Sequence, residues 1–147
     1  MNPEQNGVSV RMNRMITETT CSMLYHGKLQ MKFWAEAAKT AVYLRNLSPT
    51  VAVHGMTPYE CWHGSKPDVN HLRIFGCNAY VHIPNQNSEK LNSKSLTCVF
   101  IGYQDNCKGY TFYYAECNEV FISRGAKVIE NSFGNTRKNA DDKGQDQ

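Results

Sequence analysis

Near Lys66-Pro67 the spacing of apolar residues changes, and that change most constrains what this chain can fold into. Before it, apolar side chains recur every three or four positions, which puts them on one face of a helix. After it come short runs of aromatic and β-branched residues separated by Asn, Asp, Gly and Ser, as strands joined by turns require. Helices followed by strands make an α+β chain.

Three helices are expected in the first part. Asn6-Gly7 reads as a turn, after which Ser9 caps a helix carrying Met12, Ile16 and Met23 to about Tyr25 and ending near Gly27. A second starts at Met31, with Trp34, Ala37, Ala38, Ala41, Val42 and Arg45 at helical spacing, and cannot pass Ser48-Pro49. A third opens on Thr57-Pro58-Tyr59-Glu60, with Thr57 as N-cap, Pro58 in the first turn and Glu60 at the capping-box position, and closes at Gly64. Strands are expected over Ala79 to Ile83, Thr97 to Tyr103, Tyr110 to Tyr114 and Glu119 to Ser123, and four or five so closely spaced suggest a small barrel. From Gly134 the stretch GNTRKNADDKGQDQ has Ala140 as its one apolar residue, too little burial to offset ordering entropy, so residues 134–147 read as a disordered tail.

Composition narrows the function classes. The 147 residues, 41% hydrophobic and 20% charged, make one ordinary domain or two small ones and exclude a large enzyme. A net charge of +3 with pI near 8.5 permits a basic face but falls short of a dedicated nucleic-acid binder. The polar start has no signal-peptide pattern and no run of eighteen apolar residues occurs, so the chain is expected to be soluble, intracellular (cytoplasmic or nuclear), unsecreted and without a membrane partner. In that compartment the six cysteines read as free thiols. No C-x-x-C pair exists, and the nearest cluster, Cys61 with His63 and then His71, lacks zinc spacing. Cys77 and Cys98 read as small hydrophobes within strands, and the histidines, with no acid or nucleophile arranged around them, as structural.

The segments NGVSVRMNR, MKFWAEAAKTAVYLRNLSPT, GMTPYECWHGSKP, HLRIFGCNAYVHIP, VFIGY and KGYTFYY, in that order, resemble copia-type retrotransposon integrases along nearly the whole chain. The resemblance implies two parts: residues 1–67 as the helical end of an RNase H-like integrase core, and residues 71–130 as the SH3-like β-barrel of the retrotransposon polyprotein. It also implies a role in DNA integration, in which two aspartates and one glutamate hold the divalent metal, Mg or Mn. Two metals about 4 Å apart must contact the attacking and leaving oxygens, and carboxylates are the ligands that hold them.

The family's aspartates lie upstream of the region matched here, and its glutamate position, between the G-V-x and R-M-N stretches, is Val10. A valine has no lone pair to offer a metal. Glu18 lies eight positions on, about 12 Å along a helix, and Glu4 precedes Asn6-Gly7, so neither replaces it. The expectation is therefore a catalytically inactive integrase fragment with no catalytic residue, no metal site and no cofactor of its own.

Arg11 and Arg14, on the helix that approaches DNA in the family, with Lys28 and Lys32 nearby and Lys39 beyond, are the candidate DNA-contacting residues; weak, non-specific, salt-sensitive binding would follow. The plainer reading makes them solvated helix faces, with Arg11 and Arg14 near Glu18. Lys90, Lys94, Lys108 and Arg124 read the same way around the barrel. Tyr80, Tyr103, Tyr110, Tyr113 and Tyr114, with Phe100, Phe112 and Phe121, could stack bases, although about half should be core. An alternative is a nucleic-acid-binding or protein-interaction module retained from the transposon. Helices without the sheet that normally covers them should pair with each other or with the barrel, leaving an apolar patch for self-association through exposed helix faces.

Overall fold

The structure is a computed structural model describing residues 3–82, 95–105 and 108–133. It consists of α1 (Pro3–His26), a 3-10 turn (Met31–Phe33), α2 (Trp34–Asn46), a second 3-10 turn (Val51–Val53) and α3 (Pro58–His63). Five strands follow: β1 (Cys77–His82), β2 (Ser95–Tyr103), β3 (Tyr110–Tyr114), β4 (Glu119–Ser123) and β5 (Ala126–Phe133). They form one antiparallel sheet in the order β4-β3-β2-β1-β5. The α+β class expected from the sequence is the class observed. Ile83, Lys90, Lys94, Cys107 and the expected disordered tail lie outside the described residues, and β5 runs past Glu130 to Phe133.

β2 carries both halves of the molecule. Its residues Cys98 to Gly102 are buried without interruption, because neighbouring side chains point to opposite faces and both faces are covered. Cys98 and Phe100 point inward with Cys77, Ala79, Val81 and Phe112. Phe121 of β4 and Ala126, Val128 and Phe133 of β5 pack on the same cluster, so the two edge strands curl around one core. Val99 and Ile101 point outward, joining Tyr113 of β3 to Leu24 of α1, Ala37 of α2, Phe33 and Phe75.

The helices therefore lie on the barrel's outer face and share a core with it. At the end of α1 the Leu29 N–H donates to Leu24 O and the Lys28 N–H to Tyr25 O, with Lys28 left-handed at φ 53°. This is a Schellman ending, with Leu24 and Leu29 supplying its apolar contact. Gly27 is not the left-handed residue. It is glycine because a Cβ there would lie 3.1 Å from Gly76 Cα, and a Cβ on Gly76, at φ 83°, would lie 2.6 Å from Gly27 Cα.

One expectation fails. Asn6-Gly7 makes no turn, and Ser9 is no cap: α1 runs straight through both from Pro3. Proline suits a first helical turn, and one interior glycine costs only about 1 kcal/mol, so neighbouring helix formers override the turn dipeptide. The third helix is as expected in detail. The Thr57 side chain accepts from the Glu60 N–H, the Glu60 carboxylate accepts from the Thr57 N–H, and Gly64 ends the helix at φ 71°.

The two glycines predict opposite outcomes. Gly76→Ala forces backbone apart in a conformation that favours glycine and should cost about 2 to 4 kcal/mol in urea unfolding. Gly7→Ala, with nothing within 4 Å of the added Cβ, should leave the fold unchanged and stabilise it by about 0.5 to 1 kcal/mol.

Candidate nucleic-acid interface

The candidate basic residues do not form one patch. Arg11 and Arg14 are exposed on the first half of α1, whereas Lys28 follows its end. Seventeen residues at 1.5 Å each put Arg11 and Lys28 about 25 Å apart along the helix direction. The Arg14 Nε donates to Glu18 Oε1 at 2.8 Å, one turn along, and this contact raises the guanidinium pKa. Both groups are exposed, so the pair adds little to stability. Among the described residues Arg11 has no ion-pair partner.

Lys32, although exposed, lies against the β3–β4 hairpin. Its Nζ donates to the Tyr113 hydroxyl at 2.8 Å and to Asn118 Oδ1 at 3.1 Å, and lies 4.6 Å from the Tyr113 ring centre and 5.0 Å from that of Phe33. Tyr113 donates to the same Asn118 oxygen. The ammonium thus clasps the turn before α2 to the β3–β4 hairpin. No sequence spacing marked it, since its partners lie 81 and 86 residues away.

The tyrosines are similarly occupied. The β-bulge between Phe100 and Gly102 shifts the alternation and brings Tyr103 beside Tyr110 on the inner side. The Tyr103 hydroxyl accepts from the Arg73 N–H and donates to the Arg73 carbonyl, both at 2.9 Å. The Tyr110 hydroxyl donates to His71 O at 2.7 Å, and the Tyr43 hydroxyl meets His71 Nε2 at 2.6 Å while its ring stacks on Tyr103. Three tyrosines therefore fasten the segment between the helices and β1. Burial pushes the Tyr103 hydroxyl up to about 12, and Tyr43 also titrates above its ordinary value, through burial first and then Tyr59, Asp105 and Tyr110. Phe100, Phe112 and Tyr113 are core, and of the eight aromatic residues considered for base stacking Tyr80 is the one that is largely exposed. The alternation of Tyr110, Phe112 and Tyr114 in KGYTFYY was the readable sign that these rings share the inner face.

Val10 sits on the exposed side of α1 at 66% exposure, about 200° around the helix from Val8 and well away from the stripe that meets α2. Its packing contributes almost nothing. Among the described residues no group of three or more His, Cys, Asp and Glu side chains is placed to hold a metal ion. No described helix is long and apolar enough to cross a membrane.

With this geometry in place, similarity to known proteins is informative. The family model of the retroviral polymerase SH3-like domain matches residues 77–142. The retrovirus-related Pol polyprotein from transposon TNT 1-94 of Nicotiana tabacum is 43% identical over 122 residues, 83% of this chain. That from transposon RE1 of Arabidopsis thaliana is 36% identical over 131 residues, 89% of the chain. The chain belongs to the copia-type retrotransposon Pol polyprotein family. It spans 9% of the length of each of these two polyproteins. An uncharacterized mitochondrial protein of Arabidopsis thaliana is 45% identical over 71 residues, 48% of this chain and 59% of that one. No solved structure matches the chain.

This Pol fragment holds its described cysteines as free thiols in two environments. Cys77 and Cys98 are buried, which pushes both thiols up to about 11, while Cys21, Cys61 and Cys117 are exposed. Iodoacetamide at neutral pH should modify the exposed three and spare the buried two in the folded protein. The folded state holds the two buried protons more tightly than the unfolded chain, whose thiols titrate near 8.5. Their contribution to stability is thus complete below about pH 8.5 and is lost as pH rises through 11. Denaturant midpoints should fall over that window, and Cys77→Ala/Cys98→Ala should flatten the fall.

Proposed function

We propose that this chain is the junction of a copia-type integrase, the last helices of its catalytic core joined to the SH3-like barrel, and that it performs no strand transfer on its own. The observation that carries the reading is Val10. It occupies the glutamate position of the family pattern, on a face of α1 where a hydrophobic side chain gains almost no burial. A carboxylate is what metal-assisted phosphoryl transfer needs there, and valine offers no such ligand. No metal cofactor is then expected for the chain as it stands. The reading carries with it an intracellular setting, cytoplasmic or nuclear, and a role in DNA integration that belongs to the longer polyprotein.

A second part of the reading concerns DNA. Arg11, Arg14 and Lys28 are exposed and could meet phosphates, whereas Lys32 would have to leave its ring contacts to do so. Two or three phosphate contacts give weak binding without sequence preference. The bland alternative is a fragment whose basic side chains are only solvated, and the Arg14–Glu18 pair favours it at that position.

Two measurements test the reading. In a Mg²⁺ or Mn²⁺ nicking and strand-transfer assay the chain and its Val10→Glu variant should both be inactive, because one carboxylate does not assemble a two-metal site; turnover by the unaltered chain would overturn the proposal. In fluorescence anisotropy with duplex DNA, affinity should fall about 10- to 40-fold between 50 and 200 mM salt, and Arg11→Ala should reduce the slope by about one ion. Lys32→Gln should leave DNA affinity unchanged and lower stability by about 1 kcal/mol. Absence of binding at low salt would remove the DNA part of the reading.

A further inference from the structure

The helical layer covers the outer face of the sheet unevenly. α2 packs over β2, with α1 along one flank, where Met15, Ile16 and Thr19 line a gap of about 210 Å³ with Ala41 and Leu44. Along the other flank runs a cleft of about 400 Å³ between Glu36, Thr40 and Tyr43 of α2 and Thr111, Val120 and Ile122 of β3 and β4. The two flanks of α2 are about 120° apart around its axis. β4 lies two strands from β2, close to 10 Å at the usual ~4.8 Å spacing, so its outer face lies beside α2 rather than beneath it.

Its lining is unfinished. Val120 and Ile122 are 53% and 52% exposed on the face the helices cover elsewhere. Thr40 is 2% exposed and its hydroxyl has no hydrogen-bond partner among the described residues, although Thr17, Thr19 and Thr20 each donate to the carbonyl four residues back. Instead Thr40 Oγ1 faces Gly102, where an added Cβ would lie 3.1 Å away. Among the described residues lining the cleft, Glu36 and Asp105 are acidic and Lys39 is basic.

The chain also carries a complementary surface. From Asn6 to Arg14 every side chain of α1 is exposed, and Val8 and Met12, one turn apart at 65% and 36% exposure, continue the stripe of Met15, Ile16 and Met23 beyond the end of α2. Arg11 flanks that stripe on one side and Ser9 on the other. Because the second half of the same straight helix is packed on the opposite flank of α2, the first half cannot reach its own cleft. We propose that the first three turns of α1 dock into the α2–β4 cleft of a second copy, with Val8 and Met12 against Val120 and Ile122 and Arg11 toward Glu36 and Asp105. Two such exchanges related by a two-fold axis close a dimer. This goes beyond the junction reading and stands or falls separately from it.

Sedimentation velocity of the full chain tests it. The protein should dimerise by about 100 µM, an affinity range ordinary for a small, mixed-polarity contact. Val8→Asp/Met12→Asp and Val120→Asp/Ile122→Asp should each be monomeric with unchanged helical content, all four positions being exposed. An equimolar mixture of the two variants should regain dimer, since the intact helix of one meets the intact cleft of the other. If an aspartate variant fails to fold, Arg11→Glu should weaken the dimer about tenfold and Glu36→Arg in the same chain should restore it. A wild type monomeric throughout, variants that still dimerise while folded, a mixture that stays monomeric, or no rescue by the charge swap would each overturn the proposal.

Discussion

Two α-carbons without side chains govern how this molecule is put together. Gly27 ends α1 and Gly76 precedes β1, and their backbones approach so closely that a methyl group on either meets the other. That contact brings the last turn of α1 onto the beginning of the sheet, where Leu24 joins Phe75, Val99 and Ile101. Without it the outer face of β2 would lose its cover near that end, and burying a Leu- or Phe-sized side chain is worth about 1.5 to 3 kcal/mol. The helices and the barrel are therefore energetically one body, although the change of pattern near Lys66-Pro67 marks them as two.

The connection between them is built accordingly. Residues 67–76 form no helix or strand, and a segment of that kind normally leaves backbone groups to water. Here Tyr103 satisfies both the N–H and the carbonyl of Arg73, Tyr110 takes up the His71 carbonyl, and Tyr43 reaches the His71 ring from α2. Lys32 adds a charged clasp at the far side of the same interface. Hydroxyls at ring tips suit this work because the rings can enter the apolar cluster while their oxygens reach past it.

Local pattern was readable wherever one element decides its own geometry. Thr57, Pro58, Glu60 and Gly64 each act within a few residues, and the whole of α3 was legible from them. Four strands were legible because alternation and turn residues are local, and burial of Cys77 and Cys98 followed from their neighbours, whereas β5, Ala126–Phe133, carries polar Lys127, Glu130, Asn131 and Ser132 and was not read as a strand. Asn6-Gly7 misled because a turn dipeptide states a preference of roughly 1 kcal/mol, which a long helix with Pro3 in its first turn overrides. The Gly27–Gly76 contact, the Lys32 clasp and the tyrosine fastenings were invisible because each joins positions some 30 or more residues apart, and no periodicity records which loops will meet.

What these contacts consume also decides what is left for function. Aromatic and cationic side chains are the usual means of holding a nucleic acid, yet Tyr103, Tyr110, Tyr113 and Lys32 already have partners inside the fold, and withdrawing any of them would leave a polar group of the junction unsatisfied. The barrel's inner rings therefore cannot serve as a stacking platform without undoing the joint. The first half of α1 is different, because none of its described side chains from Asn6 to Arg14 is buried and its one ion pair is solvent-exposed. Val10, Arg11, Val8 and Met12 all lie on that stretch. A helix stretch with one aliphatic edge and one basic edge, exposed along its length, suits packing and charge pairing.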